Sequence, residues 1–289
     1  MTMPFYVPAE QMMKDKADFA RKNIARGKAL VALLYSDGIL IAAENTSATL
    51  RKVAEIYDRI AFAGAGKYNE YDRLRIAGVR HADTKGYLYS REDVDAQSLA
   101  NAYAQMLGDI FTHEIKPMEV EIVVAELGMG QSADRLFHIF YDGTVVDEEG
   151  FTVLGGSEVE AVTERVKQSY EPGRSLEDAL RAAVSALAGP ERSLSAAELE
   201  VAVLARGNGR RAFHRLSDED VAAMLEGGEA AAAAEPESPA SPEPATATLQ
   251  PEATGETEPE ATGETAPEAT GDPEPEATAD DEPDTPSES

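Results

Sequence analysis

Apolar residues recur along the first 228 positions in two rhythms. Between Ala9 and Arg26, Met13, Ala17, Ala20 and Ile24 fall at steps of four, three and four, with Gly27 placed where a helix would stop. That spacing predicts a helix over Ala9–Arg26, preceded by a short apolar arm, Met1–Pro8. Ala29–Tyr35 and Ile39–Glu44 are two apolar runs separated by Ser36-Asp37-Gly38, a hairpin signal, and Lys52–Tyr57 and Arg59–Ala65 predict two more strands. A helical pattern resumes over Tyr68–Gly78, where Tyr71, Leu74 and Gly78 can share a face.

Four later segments open with Ser followed three residues on by an acid: Ser90 and Asp93, Ser157 and Glu160, Ser175 and Asp178, Ser217 and Asp220. In such a capping box the hydroxyl and the acid satisfy free N–H groups at a helix start, which predicts helices over 91–114, 158–170, 176–188 and 218–226. Val120–Leu127 and Leu136–Tyr141 read as strands, Asp142-Gly143-Thr144 as a turn, and Leu199–Ala205 and Arg211–Leu216 as late strands. Strands grouped in hairpins and helices grouped in pairs imply antiparallel sheets covered by helix layers, an α/β chain of the α+β kind.

Composition then divides the chain. Of its 289 residues, the segment 229–289 holds 18 of the 54 acids, 11 of the 16 prolines and none of the 26 Lys and Arg. The remaining 228 residues carry 26 bases against 36 acids, ordinary for a globular body. The terminal segment repeats Pro-Glu-Ala-Thr at Pro251, Pro259, Pro267 and Pro275 without one Val, Ile, Phe or Tyr. Stacked units of that kind would bury nothing to offset an ordering cost of about 1–2 kcal/mol per residue, so an extended, disordered tail is expected. The expected division is an arm at 1–8, a folded domain at 9–228 and the acidic tail at 229–289. An acidic body without a basic stripe argues against nucleic acid and against anionic membrane surfaces. No cysteine is present, which removes disulfides, thiolate metal sites and cysteine nucleophiles. No apolar run reaches the length of a membrane span, and Met1–Pro8 lacks the features of a signal peptide, so a cytoplasmic protein is expected.

The candidate chemistry is sparse. Gly64-Ala65-Gly66-Lys67 ends like a phosphate loop, but Tyr68 stands where Ser or Thr should hold Mg²⁺, and small residues at a close strand-to-helix junction explain it better. His81, His113, His138 and His214 show no metal-ligand spacing, no G-x-S-x-G elbow exists, and Glu148-Glu149 sits beside a turn. No cofactor and no metal is expected. Removal of Met1 would expose Thr2, whose hydroxyl and free amine could act as nucleophile and base. Met3-Pro4-Phe5 leads into a helix instead of a strand that would fix the amine, and Leu33 and Leu34 stand where a catalytic lysine would be needed.

Several separated motifs carry a resemblance. Pro8-Ala-Glu-Gln-Met-Met, Phe19-Ala-Arg-Lys-Asn-Ile-Ala-Arg-Gly27, Asp37-Gly38-Ile-Leu-Ile-Ala-Ala-Glu-Asn45 and Leu50-Arg-Lys-Val-Ala-Glu-Ile-Tyr-Asp-Arg-Ile-Ala-Phe-Ala-Gly64 occur in order. With Asn69-Glu-Tyr-Asp-Arg-Leu-Arg, Ala82-Asp-Thr-Lys-Gly-Tyr and Leu199-Glu-Val-Ala-Val-Leu, they closely resemble the α-subunit of the actinobacterial-type proteasome core particle over about residues 1–226.

The resemblance implies a four-layer α-β-β-α sandwich of the amino-terminal-nucleophile hydrolase type, in a subunit that is not itself catalytic. It implies seven-membered α-rings capping catalytic β-subunit rings, with an ATPase ring docked on the outside for protein degradation. Ala9–Arg26 would be the extra helix that fills the cleft used for catalysis in β-subunits. Met1, Thr2, Met3, Pro4, Phe5, Tyr6, Val7 and Pro8 would form the gate over the axial pore. Lys52 matches the lysine that receives an activator's C-terminal carboxylate in a pocket between neighbouring α-subunits, with Gly66 and Gly27 in its wall. Lys116-Pro-Met-Glu lacks the longer Tyr-Gly-Gly loop of archaeal relatives, so no pore-constriction residue carries over. The competing readings are a self-processing amino-terminal-nucleophile hydrolase of the same fold and an isolated scaffold working through its acidic tail.

Overall fold

Successive side chains of a strand point to opposite faces, and here both faces of the central strands are apolar, so each strand demands a partner on either side. The computed structural model describes residues 8–207 and 209–232 and meets that demand with two stacked sheets between helix layers. The elements are α1 (Ala9–Ile24), β1 (Leu30–Tyr35), β2 (Gly38–Glu44), β3 (Val53–Tyr57), β4 (Ile60–Gly66), α2 (Tyr68–Leu88) and α3 (Ala96–His113), then β5 (Val120–Glu126), β6 (Arg135–Ile139), β7 (Val145–Asp147) and β8 (Phe151–Leu154). After these come α4 (Val159–Ser169), α5 (Leu176–Ala188), β9 (Leu199–Ala205), β10 (Phe213–Arg215) and α6 (Asp218–Ala232).

One sheet has the order β10-β9-β2-β1-β8 and the other β3-β4-β5-β6-β7, and every paired neighbour is antiparallel. Alternate residues sort into three cores. Leu30, Ala32, Ile39, Ile41, Ala61, Ala63, Val123 and Ala125 meet between the sheets. Val31, Leu33, Leu40 and Val203 face α4 and α5, while Phe62, Ile122 and Val124 face α2 and α3. α1 belongs to neither helix layer. Its Ala20 and Ile24 pack on Tyr141 and, with Phe111 nearby, lie across the end of the sandwich where β4 and β6 finish and β5 begins.

Some boundaries differ from the sequence expectation. α2 runs ten residues beyond Gly78, because that glycine is no stop: a Cβ there would lie 1.8 Å from the Tyr103 hydroxyl, which instead donates to the Leu74 carbonyl at 3.1 Å. Ser90 caps only a short 3-10 turn over Arg91–Asp93, and α3 starts at Ala96 with Asp95 accepting from the Ser98 N–H at 2.7 Å. Ser157 caps nothing; Glu158 precedes α4 without a side-chain bond. The boxes at Ser175 and Ser217 do form at their helix starts. Four strands, not three, follow α3, as the chain crosses from one sheet to the other between β7 and β8. The arm residues Met1–Val7 and the acidic repeat lie outside the described residues.

Candidate functional site

The end of the sandwich closed by α1 is built from backbone. α1 finishes where the Gly27 N–H donates to the Ile24 carbonyl at 2.9 Å, and a Cβ on Gly27 would stand 3.3 Å from the Gly66 nitrogen. Gly66 has φ +103°, and a Cβ there would lie 2.1 Å from the Glu119 carbonyl oxygen, so only glycine fits. The exit of α1 therefore rests directly on the last residue of β4. Two residues that are distant in sequence form one wall without side chains.

Lys52 reaches this wall from the loop entering β3. Its Nζ donates to the Lys28 carbonyl at 2.6 Å, one residue past Gly27. An ammonium has three N–H bonds, and this is the one with an acceptor among the described residues. Burial pushes the Lys52 pKa down to about 8, with Glu44 and Glu200 opposing the shift and Lys28 adding to it. The backbone of Lys52 is fixed separately. Glu200, buried on β9, accepts from the N–H groups of Lys52 at 2.8 Å and Val53 at 3.3 Å, from Asn45 Nδ2 at 2.7 Å and from Arg215.

Beside the lysine, Glu44 accepts from Lys28 Nζ at 2.6 Å and from both Arg192 terminal nitrogens at 3.2 and 3.3 Å. Burial alone would raise its pKa, but those bonds outweigh it and hold the carboxyl below the usual range. Gly27, Lys28, Glu44, Ser157 and Arg192 line a cleft of about 290 Å³. The arrangement offers a cation with unused donors next to a backbone wall, a receptor for a carboxylate, and no nucleophile. The sequence singled out Lys52, Gly66 and Gly27, which are indeed brought together. It missed Lys28, Glu44, Glu200 and Arg192, although an acid inside the apolar run Leu199-Glu-Val-Ala-Val-Leu was a legible sign of a buried ion pair.

The other candidates resolve as follows. Gly64 to Gly66 lie in β4, not in a loop, and a Cβ on Gly64 would be 2.7 Å from the Tyr71 ring, the close strand–helix contact that small residues permit. His81, His113 and His214 are exposed. His138 is buried, with Thr152 Oγ1 at 3.2 Å from Nδ1 and Glu121 and Glu148 each at 3.7 Å from a ring nitrogen. Thr152 is itself buried, so this set presents no hydroxyl to a substrate. Leu33 is buried under the α4–α5 layer and Leu34 packs against the core between the sheets. Thr2 lies outside the described residues, and among those described no cluster of His, Asp and Glu has a geometry that would hold a metal ion. No described helix is long and apolar enough to cross a membrane.

Comparison with known proteins gives a consistent result. Residues 24–204 match the family model described as "Proteasome subunit". A protein of Acidimicrobium ferrooxidans named "Proteasome subunit alpha" is 56% identical over 225 residues, 78% of this chain and 97% of the relative. Proteins of the same name from Thermomonospora curvata and Thermobifida fusca are 55% and 54% identical, each over 78–79% of this chain and covering 100% and 92% of their own lengths.

Proposed function

Because the chain belongs to the proteasome subunit family, with relatives of the α type, we propose that it is the non-catalytic α-ring subunit of a core particle. It forms a seven-membered outer ring with its own copies, caps β-subunits that carry the peptidase activity, and works in the cytoplasm. Met1–Pro8 restricts entry through the axial pore, and an ATPase ring docks on the outer face. The observation that carries the docking role is the Lys52 ammonium, with donors to spare beside the Gly27–Gly66 wall. A partly desolvated cation is a good receptor for a chain-terminal carboxylate, and several weak pockets around a ring gain affinity when one multimeric activator engages them together.

The test uses the complex with its β partner. Deleting Met1–Pro8 is expected to raise peptide hydrolysis severalfold, and unchanged rates would remove the gate. Lys52→Ala is expected to leave ring assembly intact and to cut ATPase-stimulated protein degradation at least fivefold. Full stimulation would exclude Lys52 from docking.

A further inference from the structure

Three of the large apolar side chains exposed on the described surface share one groove. Met12 and Phe19 on α1 are each 45% exposed and Ile115, in the loop from α3 to β5, is 95% exposed; with Pro117 they line a groove of about 550 Å³. Apolar surface gathered in a concave site, not scattered singly, marks a place for a partner. The groove is held open by polar ties at its floor: Lys16 Nζ donates to the Phe111 carbonyl at 3.0 Å, and Lys116 pairs with Glu70 and Glu119 at 2.8 and 2.6 Å. Asp15 and Glu114 on its rim have no cationic partner among the described residues.

We propose that this groove is the docking site of the chain's own arm, Met1–Val7, folded back along α1. Chemistry and reach support that occupant. The arm contains Met1, Met3, Pro4, Phe5, Tyr6 and Val7 with Thr2 as its sole polar side chain, and its only charge is the terminal amine, which suits acids on the groove rim. It joins α1 at Pro8, whose extended backbone (ψ 141°) precedes the first helical residue, and Met12 stands one turn further on. Seven extended residues span about 23 Å. From Ala9 to Phe19 the helix rises about 15 Å, so the arm covers the whole groove. A tether this short keeps the arm at a high effective concentration, which favours it over a free segment of another chain. An arm lying back on α1 cannot also extend forward from Pro8. The groove thus holds the retracted, open form of the gate; this consequence rests on the function proposed above.

The chain has no cysteine, so an engineered pair is unambiguous. In the full-length protein, Met3→Cys with Glu114→Cys is oxidised by a glutathione redox buffer and resolved by non-reducing gel and mass spectrometry. A pair of Met3→Cys with Met129→Cys serves as control, since Met129 is exposed but lies past the far end of β5. The expected result is a bridge within one chain, at least fivefold above the control, and lost when Phe19→Ser is added. A bridge between two chains, meaning that a second copy fills the groove, or a yield equal to the control would overturn the proposal. Peptide hydrolysis by the bridged complex is expected to match that of the complex lacking the arm. If deletion of the arm leaves hydrolysis unchanged, the gate reading fails while an intrachain bridge still establishes the docking.

Discussion

At the scale of single residues, Lys52 is the clearest case of a group kept at a cost to stability. Its pKa is about 8 in the fold against 10.5 for the free side chain, so between those values the unfolded chain binds more protons and stability rises with pH. Below pH 8 the full penalty applies. Lys52→Met, which removes the charge and keeps the length, is therefore expected to leave Tm at pH 7 equal or higher, by calorimetry, while weakening binding of a peptide C-terminal carboxylate at least tenfold. Wild-type binding of that peptide should itself fall as pH rises through about 8; a flat profile there, or a lowered Tm in the variant, contradicts this account.

His138 has the opposite sign. Burial pulls its pKa down, yet Glu121 and Glu148 outweigh burial and leave it raised above 6.5. Its charged form stabilises the fold fully below pH 6.5, and that contribution is lost as pH rises through the raised value. His138→Gln should flatten Tm against pH across that window. Neither its burial nor its two acids could be read from spacing, because Glu121, His138 and Thr152 stand on three different strands. The same holds for Glu200, whose bond to the Lys52 backbone spans 148 positions.

At the scale of elements, α1 is anchored by few residues. Ala20 is fully buried and Ile24 nearly so, against Tyr141 and Phe111. Ala20→Leu would overpack that contact at a cost of about 1–3 kcal/mol, and amide exchange should accelerate across Ala9–Ile24 while the central strands stay protected. Uniform acceleration would mean that α1 is not a separable layer. Helix and hairpin identities were legible wherever the signal was local: the 3.6 period of α1, or Ser36-Asp37-Gly38 between β1 and β2. Ends were less so. Gly78 reads as a terminator until Tyr103, 25 positions on, is seen to occupy the space its side chain would need. The Ser195–Glu198 box passed unnoticed because it closes a single 3-10 turn.

At the scale of the molecule, strands apolar on both faces imply burial on both sides, but pairing β2 with β9 across about 160 positions requires knowing which hairpins share a sheet. The resemblance supplied that information and periodicity did not. Charge is the other molecular property. The segment 229–289 contributes −18 of the net −28, and charges of this kind act over a Debye length of about 8 Å at physiological salt. Association of an activator with full-length particles and with particles truncated after residue 228 should differ at low ionic strength and converge at high. Equal rates at low salt would show that the segment plays no part in access.

The wall where Gly27 meets Gly66 limits what evolution can do with the neighbouring lysine. A surface of bare backbone has no rotamers to reorder when a ligand arrives and offers no side chain to exchange, since any addition at Gly66 strikes the Glu119 carbonyl. Preference among tails must instead be tuned on the opposite bank, through Lys28, Glu44 and Arg192. Those three side chains can vary without disturbing the strand ends, so divergence in partner choice between lineages should accumulate there while the glycine contact stays fixed.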